Sequence, residues 1–213
     1  MISLLLDTSN QALSVAVNRN GKMAAEINTN YRKTHSETLV DNIQKVLEIA
    51  DIKKSSIDRI IVAKGPGSYT GVRIGITVAK MLGKQLDIPV YSVSSLFVLA
   101  VSNHIRGNAV PLIDARRGYV YGAMYNIQED DYTEVIAPQY IEFSTLSAEI
   151  DEAVYLLNSE EKFTIDIDEY THVTPRISET ERYEKALKLE DADQLTPDYL
   201  RISEAERNWQ DNQ

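Results

Sequence analysis

The chain has 213 residues, 43% of them hydrophobic and 25% charged, which is enough for one large domain or two small ones with a hydrophobic core. It contains no cysteine, which excludes disulfides and thiol chemistry. Residues 1–107 hold 13 Lys and Arg against 8 Asp and Glu, whereas residues 108–213 hold 9 against 24. The acidic second half is therefore excluded as a general binder of phosphate backbones, and any RNA contact is expected from the first half or from a partner.

No targeting or membrane-spanning segment is predicted. Residues 1–9 lack a basic start and Asp7 interrupts their apolar run, which is not the pattern of a signal peptide. The apolar stretch at residues 96–101 is far too short to span a bilayer. We therefore expect a cytoplasmic protein without membrane contact.

The first half predicts a mixed sheet covered by helices. Apolar runs and alternating patterns predict strands, and apolar residues at helical spacing predict helices that include a capping box at Thr34 and Glu37. The predicted order is three strands (1–7, 10–18 and 23–29), a helix (34–50), a strand (57–63), a helix (70–86), a strand (90–93) and a helix (94–103).

The second half repeats the opening of the first. Residues 109–114, like residues 1–7, form an apolar run that ends in Asp, and strands are predicted after it at 119–125 and 134–141. Later patterns are weaker and predict helices at 146–150 and 180–189. A unit that occurs twice indicates two lobes of the actin-like ATPase fold, an α/β architecture of mixed sheets with flanking helices. The predicted domains are a first lobe at 1–105 and a reduced, acidic second lobe at 106–213.

The most distinctive motif is Gly65-Pro66-Gly67-Ser68-Tyr69-Thr70-Gly71-Val72-Arg73, between a predicted strand and a predicted helix. Backbone amides in such a place can hold an anion. The glycine spacing, however, matches neither a Walker loop nor the dinucleotide fingerprint, and proline has no amide. We favour a stiff turn that sets the angle of the helix. Its structural residues are Gly65, Pro66, Gly67, Thr70 and Arg73.

The helix after this motif carries a ridge of small residues at every fourth position. They are Gly71, Gly75, Ala79 and Gly83. Glycine costs about 1 kcal/mol in a helix interior, so such a glycine ridge requires the close approach of another element. Two interpretations stay open at this point: packing against the chain's own sheet, or docking of a helix from another subunit.

Metal and nucleotide sites lack their usual residues. His35 would need a second ligand four residues later in a helical metal site, and Leu39 stands there. Asp7 and Asp114 are expected to face a cleft between the lobes, but the three residues after each include no glycine, which would let a backbone wrap a phosphate. Residues 123–213 contain no glycine at all. We predict no catalytic residue, no cofactor and no metal.

The chain resembles the TsaB family of bacterial proteins. The matching stretches follow one another in the expected order and span most of the chain: Leu5-Leu6-Asp7-Thr8-Ser9, His35-Ser36-Glu37-Thr38-Leu39, residues 65–75, Asp114-Ala115-Arg116-Arg117-Gly118 and Pro197-Asp198-Tyr199-Leu200-Arg201. The segment at residues 65–73 is the most specific of them, and residues 128–196 match less well.

The resemblance implies a two-lobed actin-like fold without catalysis of its own. It implies a subunit of the complex that transfers threonylcarbamoyl to the adenosine beside the anticodon of tRNA. The partners it implies are a TsaD-like catalytic subunit, a TsaE-like ATPase and, for the isolated chain, a second copy; tRNA is contacted indirectly, through the complex. TsaD carries two metal-binding histidines on its first long helix, and here the second position is Leu39.

The resemblance also places the subunit contact on the first two helices. We predict an interface formed by His35, Leu39, Ile43 and Val46 on the first helix and by the glycine ridge on the second. Two other functions stay open. One is an actin-like small-molecule kinase, which the glycine-free second half disfavours, and the other is a metallopeptidase, which would require a bound zinc ion.

Overall fold

A computed structural model of the chain describes residues 1–30, 35–158, 165, 167 and 169–201. The strands are β1 (Ile2–Asp7), β2 (Leu13–Arg19), β3 (Lys22–Thr29), β4 (Arg59–Ala63), β5 (Val90–Val93), β6 (Gly107–Asp114), β7 (Tyr119–Ile127), β8 (Tyr132–Glu142), β9 (Val154–Leu157), β10 (Thr171–His172) and β11 (Lys188–Glu190). The helices are α1 (His35–Ile49), α2 (Tyr69–Leu86), α3 (Ser95–Val101) and α4 (Phe143–Ala148). None of the described helices is long and apolar enough to cross a membrane.

The strands form two mixed sheets with the same opening topology. The first sheet has the order β11-β5-β4-β1-β2-β3, and the second has the order β10-β9-β6-β7-β8. In each sheet an antiparallel meander of three strands (β1–β3 or β6–β8) is extended by a parallel strand beside its first member. The predicted duplication and the actin-like fold class are confirmed.

The sheets and helices alternate in layers. Helices α1 and α2 cover one face of the first sheet, α3 lies between the two sheets, and α4 packs on the far side of the second sheet. The continuous apolar run of β1 follows from this arrangement, since Leu4 and Leu6 pack towards α1 and α2 while Leu5 packs towards α3. A strand covered on both faces needs apolar residues at every position rather than at alternate ones.

The end of the chain returns to the first lobe. Residues 176–186 cross the inner face of the first sheet, and β11 then pairs antiparallel with β5 at the edge of that sheet. The buried Arg59 guanidinium donates to Glu181 at 2.6 Å and to Glu184 at 2.6 Å. Burial alone would lower the pKa of Arg59, but these carboxylates raise it above its usual value. The division at residue 105 stays a prediction, and it leaves this returning segment out of the first lobe.

Some predicted elements differ from the structure. The helix predicted at 180–189 is wrong: the chain forms 3₁₀ segments at Ile177–Arg182 and Glu184–Ala186 and then β11. Contacts with the first sheet override the local helical pattern, because Ser3 and Arg59 both bind Glu181. Strands β9 and β10 were not predicted. The capping box at Thr34 lies outside the described residues.

The glycine ridge of α2 faces the chain's own sheet. A Cβ atom at Gly71 would lie 2.1 Å from the carbonyl oxygen of Thr8, and one at Gly75 would lie 2.5 Å from the Thr8 hydroxyl. At Gly83 it would lie 2.4 Å from a methyl group of Val90. The helix can approach β1 and β5 this closely only without side chains, so the docking of a partner on this ridge is corrected to packing within the chain.

This packing predicts that a bulky residue in the ridge unfolds the single subunit. We expect Gly75→Leu to lower the free energy of unfolding by roughly 1–3 kcal/mol, because the added Cβ overlaps the Thr8 hydroxyl and already touches Val62. Thr77→Leu, on the exposed side of the same helix, serves as the control and should melt like the unchanged protein. Circular dichroism melting measures both. A Gly75→Leu variant of normal stability that no longer binds a partner would contradict the sheet-facing assignment.

Candidate functional site

The Gly65–Arg73 motif forms a tight loop whose amides are used within the chain. The Gly65 amide donates to the Ser95 hydroxyl at 3.0 Å, and the Ser68 amide donates to the Ser9 carbonyl at 2.8 Å. Ser68 then caps α2, because its hydroxyl accepts a hydrogen bond from the Gly71 amide at 3.2 Å. These donors are therefore not directed at an anion, which favours the interpretation as a structural turn.

The turn after β1 is closed by the same loop. A Cβ atom at Gly67 would lie only 2.3 Å from the Ser9 carbonyl oxygen, and the Thr8 hydroxyl donates to the Gly71 carbonyl at 2.7 Å. Asp7 is fully buried, and its carboxylate accepts hydrogen bonds from the amide and the hydroxyl of Ser9. The first turn of the cleft is thus packed against the start of α2.

The equivalent turn in the second lobe is open. Asp114 accepts a hydrogen bond from the Arg116 amide at 2.7 Å, just as Asp7 accepts one from the amide two residues further on. Arg116 and Arg117 follow with φ angles of 67° and 57°, in the left-handed region, and both side chains are exposed. The two aspartates thus play the same local role in the two halves, and the second turn differs in presenting two exposed arginines.

The predicted metal position holds no ligand set in the described part of the chain. Leu39 is only 1% exposed and belongs to the core beneath α1, while the side chain of His35 lies outside the described residues. Among the residues that the structure describes, no group of three or more His, Asp or Glu side chains is placed so that it could hold a metal ion.

The outward surface of α1 and α2 is an exposed apolar groove. Val40 is 62% exposed and Met81 is 66% exposed, and both line the groove together with Val78. Its floor is formed by Ile43 and by further core residues of α1 and the following loop, and it encloses about 1250 Å³. We call this surface the α1/α2 groove. Lysines and acidic residues lie at its rim, which is the pattern of a surface that binds another protein.

The predicted interface residues lie mostly beneath this groove rather than on it. Leu39 and Val46 are buried in the core between the helices and the sheet, and Ile43 reaches the floor of the groove. The glycine ridge points to the opposite side of α2. The exposed residues were missed, although one signal was present: besides the glycine ridge, α2 carries Val78 and Met81 on another side, and an apolar side of a helix is normally covered.

Arg73 is held between two tyrosines at the start of α2. Its guanidinium lies 3.9 Å from the ring centre of Tyr69 and donates through Nε to the Tyr199 hydroxyl at 2.6 Å. The two rings stack with their centres 5.3 Å apart, and the hydrogen bond to Tyr199 raises the pKa of Arg73. The C-terminal segment thereby covers the Gly65 loop, since the Asp198 amide also donates to the Lys64 carbonyl at 2.8 Å. Thr70 lies exposed beside this cluster.

Together the repeated sheets, the layered helices and the closed first turn define a two-lobed protein of the actin-like class. Residues 23–168 match the family model described as TsaD, tRNA N6-adenosine threonylcarbamoyltransferase. The chain is 36% identical to the tRNA threonylcarbamoyladenosine biosynthesis protein TsaB of Bacillus subtilis, over the whole length of both. It is 33% identical to TsaB of Escherichia coli, over 60% of this chain and 56% of that protein.

The solved structure of YeaZ from Pseudomonas aeruginosa superimposes with a TM-score of 0.76, covering 93% of this chain and 99% of that one at 24% identity. At this identity the superposition shows the fold. The full-length sequence match identifies more than the fold: the chain belongs to the TsaB family.

The contact between Arg73 and Tyr199 predicts that the two side chains contribute jointly to stability. We expect Arg73→Ala and Tyr199→Ala each to lower the melting temperature, and the double variant to lose little more than the more damaging single change, because each residue acts through the other. Arg19→Ala, at an exposed arginine elsewhere, is the control. Melting curves of the four variants measure the coupling. Strictly additive losses would mean that the two side chains act independently.

Proposed function

We propose that the chain is a non-catalytic subunit in the biosynthesis of threonylcarbamoyladenosine in tRNA, and that it acts in the cytoplasm by pairing with a TsaD-like catalytic subunit through the α1/α2 groove. The proposal rests on the membership of the TsaB family and on one observation, the exposure of this groove. A TsaE-like ATPase would then bind the assembled pair.

The groove supports the proposal because its chemistry fits a second pair of helices. Val40, Val78 and Met81 lie along the two helices as an aliphatic surface, which gains stability only when another apolar surface excludes water from it. A partner of the same fold would present its own first two helices, giving a four-helix contact. A second copy of the chain offers the same surface, so self-pairing of the isolated protein is also expected.

The closed first turn supports a non-catalytic role. Nucleotide chemistry in a cleft requires amides that are free to approach a phosphate, and the Ser9 amide is already bound to Asp7. The Thr8 carbonyl also lies against the start of α2, and the Ser9 carbonyl lies against Gly67 of the preceding loop. An occupied turn of this kind is suited to holding the helix pair in place rather than to binding ATP.

A charge in the groove should block pairing without unfolding the subunit. We expect Val40→Glu to weaken association with the TsaD-like subunit at least tenfold, because the carboxylate would be buried without a partner. Val135→Glu is the matched control, since Val135 is also exposed, at 52%, but lies in the second lobe. Analytical ultracentrifugation measures pairing, and circular dichroism verifies folding. Normal pairing by a folded Val40→Glu variant would place the interface elsewhere.

The isolated chain should neither hydrolyse ATP nor retain zinc. The buried Leu39 and the covered turn at Thr8 are the reasons for this expectation. A phosphate-release assay and metal analysis of protein purified without chelator measure the two properties. ATP turnover that disappears in Asp7→Ala, or one zinc ion per chain, would instead support the kinase or the metallopeptidase interpretation.

A further inference from the structure

A row of tyrosines extends from α2 to the second sheet. Tyr69 of α2 stacks on Tyr199 of the C-terminal segment, and a small hollow separates this pair from Tyr121 of β7. Tyr121 lies 5.7 Å from Tyr140, and Tyr140 stacks on Tyr119 at 4.9 Å with nearly parallel rings. We call these five residues the tyrosine band.

Arginine residues lie beside the tyrosine band at several points. The guanidinium of Arg201 lies 5.3 Å from the ring centre of Tyr140, and that of Arg73 lies over Tyr69. Arg116 and Arg117 are separated from Tyr119 by Gly118 alone, and the Tyr119 amide donates to the Arg116 carbonyl at 3.1 Å. Among the described residues, neither Arg116 nor Arg117 has a carboxylate within ion-pair distance, although the second half of the chain is acidic.

We propose that the tyrosine band and its arginines bind unpaired nucleotides of the tRNA directly. This inference rests on the proposed function and goes further than the expectation that tRNA is contacted indirectly, through the complex. Bases would stack on the tyrosine rings, and Arg116 and Arg117 would bind the phosphates that link these bases. Base stacking on aromatic rings is itself independent of charge, and Arg116 and Arg117 supply positive charge locally, so these residues can contact RNA although the second half as a whole is acidic.

The two arginines at the second-lobe end of the tyrosine band favour RNA over a second protein surface. Tyrosine and arginine occur in both kinds of interface, but Arg116 and Arg117 are exposed in an acidic lobe and pair with no carboxylate among the described residues, so the phosphates of RNA would supply their counter-charge. Unpaired bases are recognised by aromatic rings and by guanidinium planes. Arg116 and Arg117 are also kept in a left-handed backbone conformation that non-glycine residues seldom adopt, and such conformations cluster at sites of function.

The first test measures base stacking. A fluorescein-labelled anticodon stem-loop RNA is titrated with the full chain paired to its catalytic subunit, and ultraviolet cross-links are mapped by mass spectrometry. We expect cross-links to Tyr119 or Tyr140, and roughly tenfold weaker binding when both are changed to Leu. Phenylalanine at the same positions should preserve binding, because it keeps the rings. Tyr170→Leu, at a tyrosine that is 54% exposed outside the band, should have no effect.

The second test measures phosphate contacts through their salt dependence. Each phosphate bound on a single strand contributes about 0.7 to the slope of log affinity against log salt. The double variant Arg116→Ala, Arg117→Ala should therefore bind RNA with a slope lower by about 1.4. The double variant Arg19→Ala, Arg106→Ala removes two exposed arginines elsewhere and should leave the slope unchanged.

Pairing with the catalytic subunit is measured on the same variants by analytical ultracentrifugation, which separates this proposal from the proposed function. The proposal would be overturned if the band variants matched the control variants in RNA affinity, salt slope and cross-links. It would also be overturned if the band variants lost pairing but kept their RNA binding, since the band would then be a protein interface. If the unchanged chain fails to pair at all but still cross-links through Tyr119 or Tyr140, the proposed function fails and the RNA contact stands.

Discussion

The close approach of α2 to the first sheet is the constraint on which the rest of the structure depends. Gly71 and Gly75 rest on Thr8, and Gly83 rests on Val90, at distances that exclude any side chain. This contact brings the Gly65 loop onto the turn after β1 and binds the Thr8 hydroxyl to the helix. The turn after β1, which the sequence was expected to place at a cleft, therefore supports a helix.

The same constraint decides which side of α2 is left for a partner. Because the ridge is used against the sheet, the opposite side carries Val78 and Met81 outward, next to Val40 of α1. The helix is apolar on both sides for different reasons: one side permits close packing within the chain, and the other forms the α1/α2 groove. Intramolecular packing and the proposed interface thus depend on one helix. A substitution on the sheet side is expected to affect folding, and a substitution on the groove side is expected to affect pairing.

The sequence predicted the duplicated strands and the first two helices well, because these segments follow simple apolar periods. It could not assign the direction of the glycine ridge, since small residues at every fourth position look the same whether they meet a sheet or a partner. The returning segment at 176–190 was missed for another reason. Its conformation depends on distant polar contacts, such as those of Glu181 with Ser3 and Arg59, and these leave no local period in the sequence. The tyrosine band was missed because its members come from separate parts of the chain.

The returning segment also bears on how the two lobes can act together. The Arg59–Glu181 pair is buried, so separating its partners would leave a charge without compensation in the protein interior. Asn18 and Glu26 hold the backbone of Ser178 against the same sheet. The same segment also binds the second lobe, because the Tyr183 hydroxyl donates to the Gln128 carbonyl at 3.1 Å and Lys185 pairs with Asp131. It therefore ties the lobes together and opposes the hinge movement by which an actin-like enzyme would close on its substrate. The tyrosine band crosses the same junction, so a fixed spacing of the lobes would also fix the spacing of the rings on which the proposed RNA contact relies.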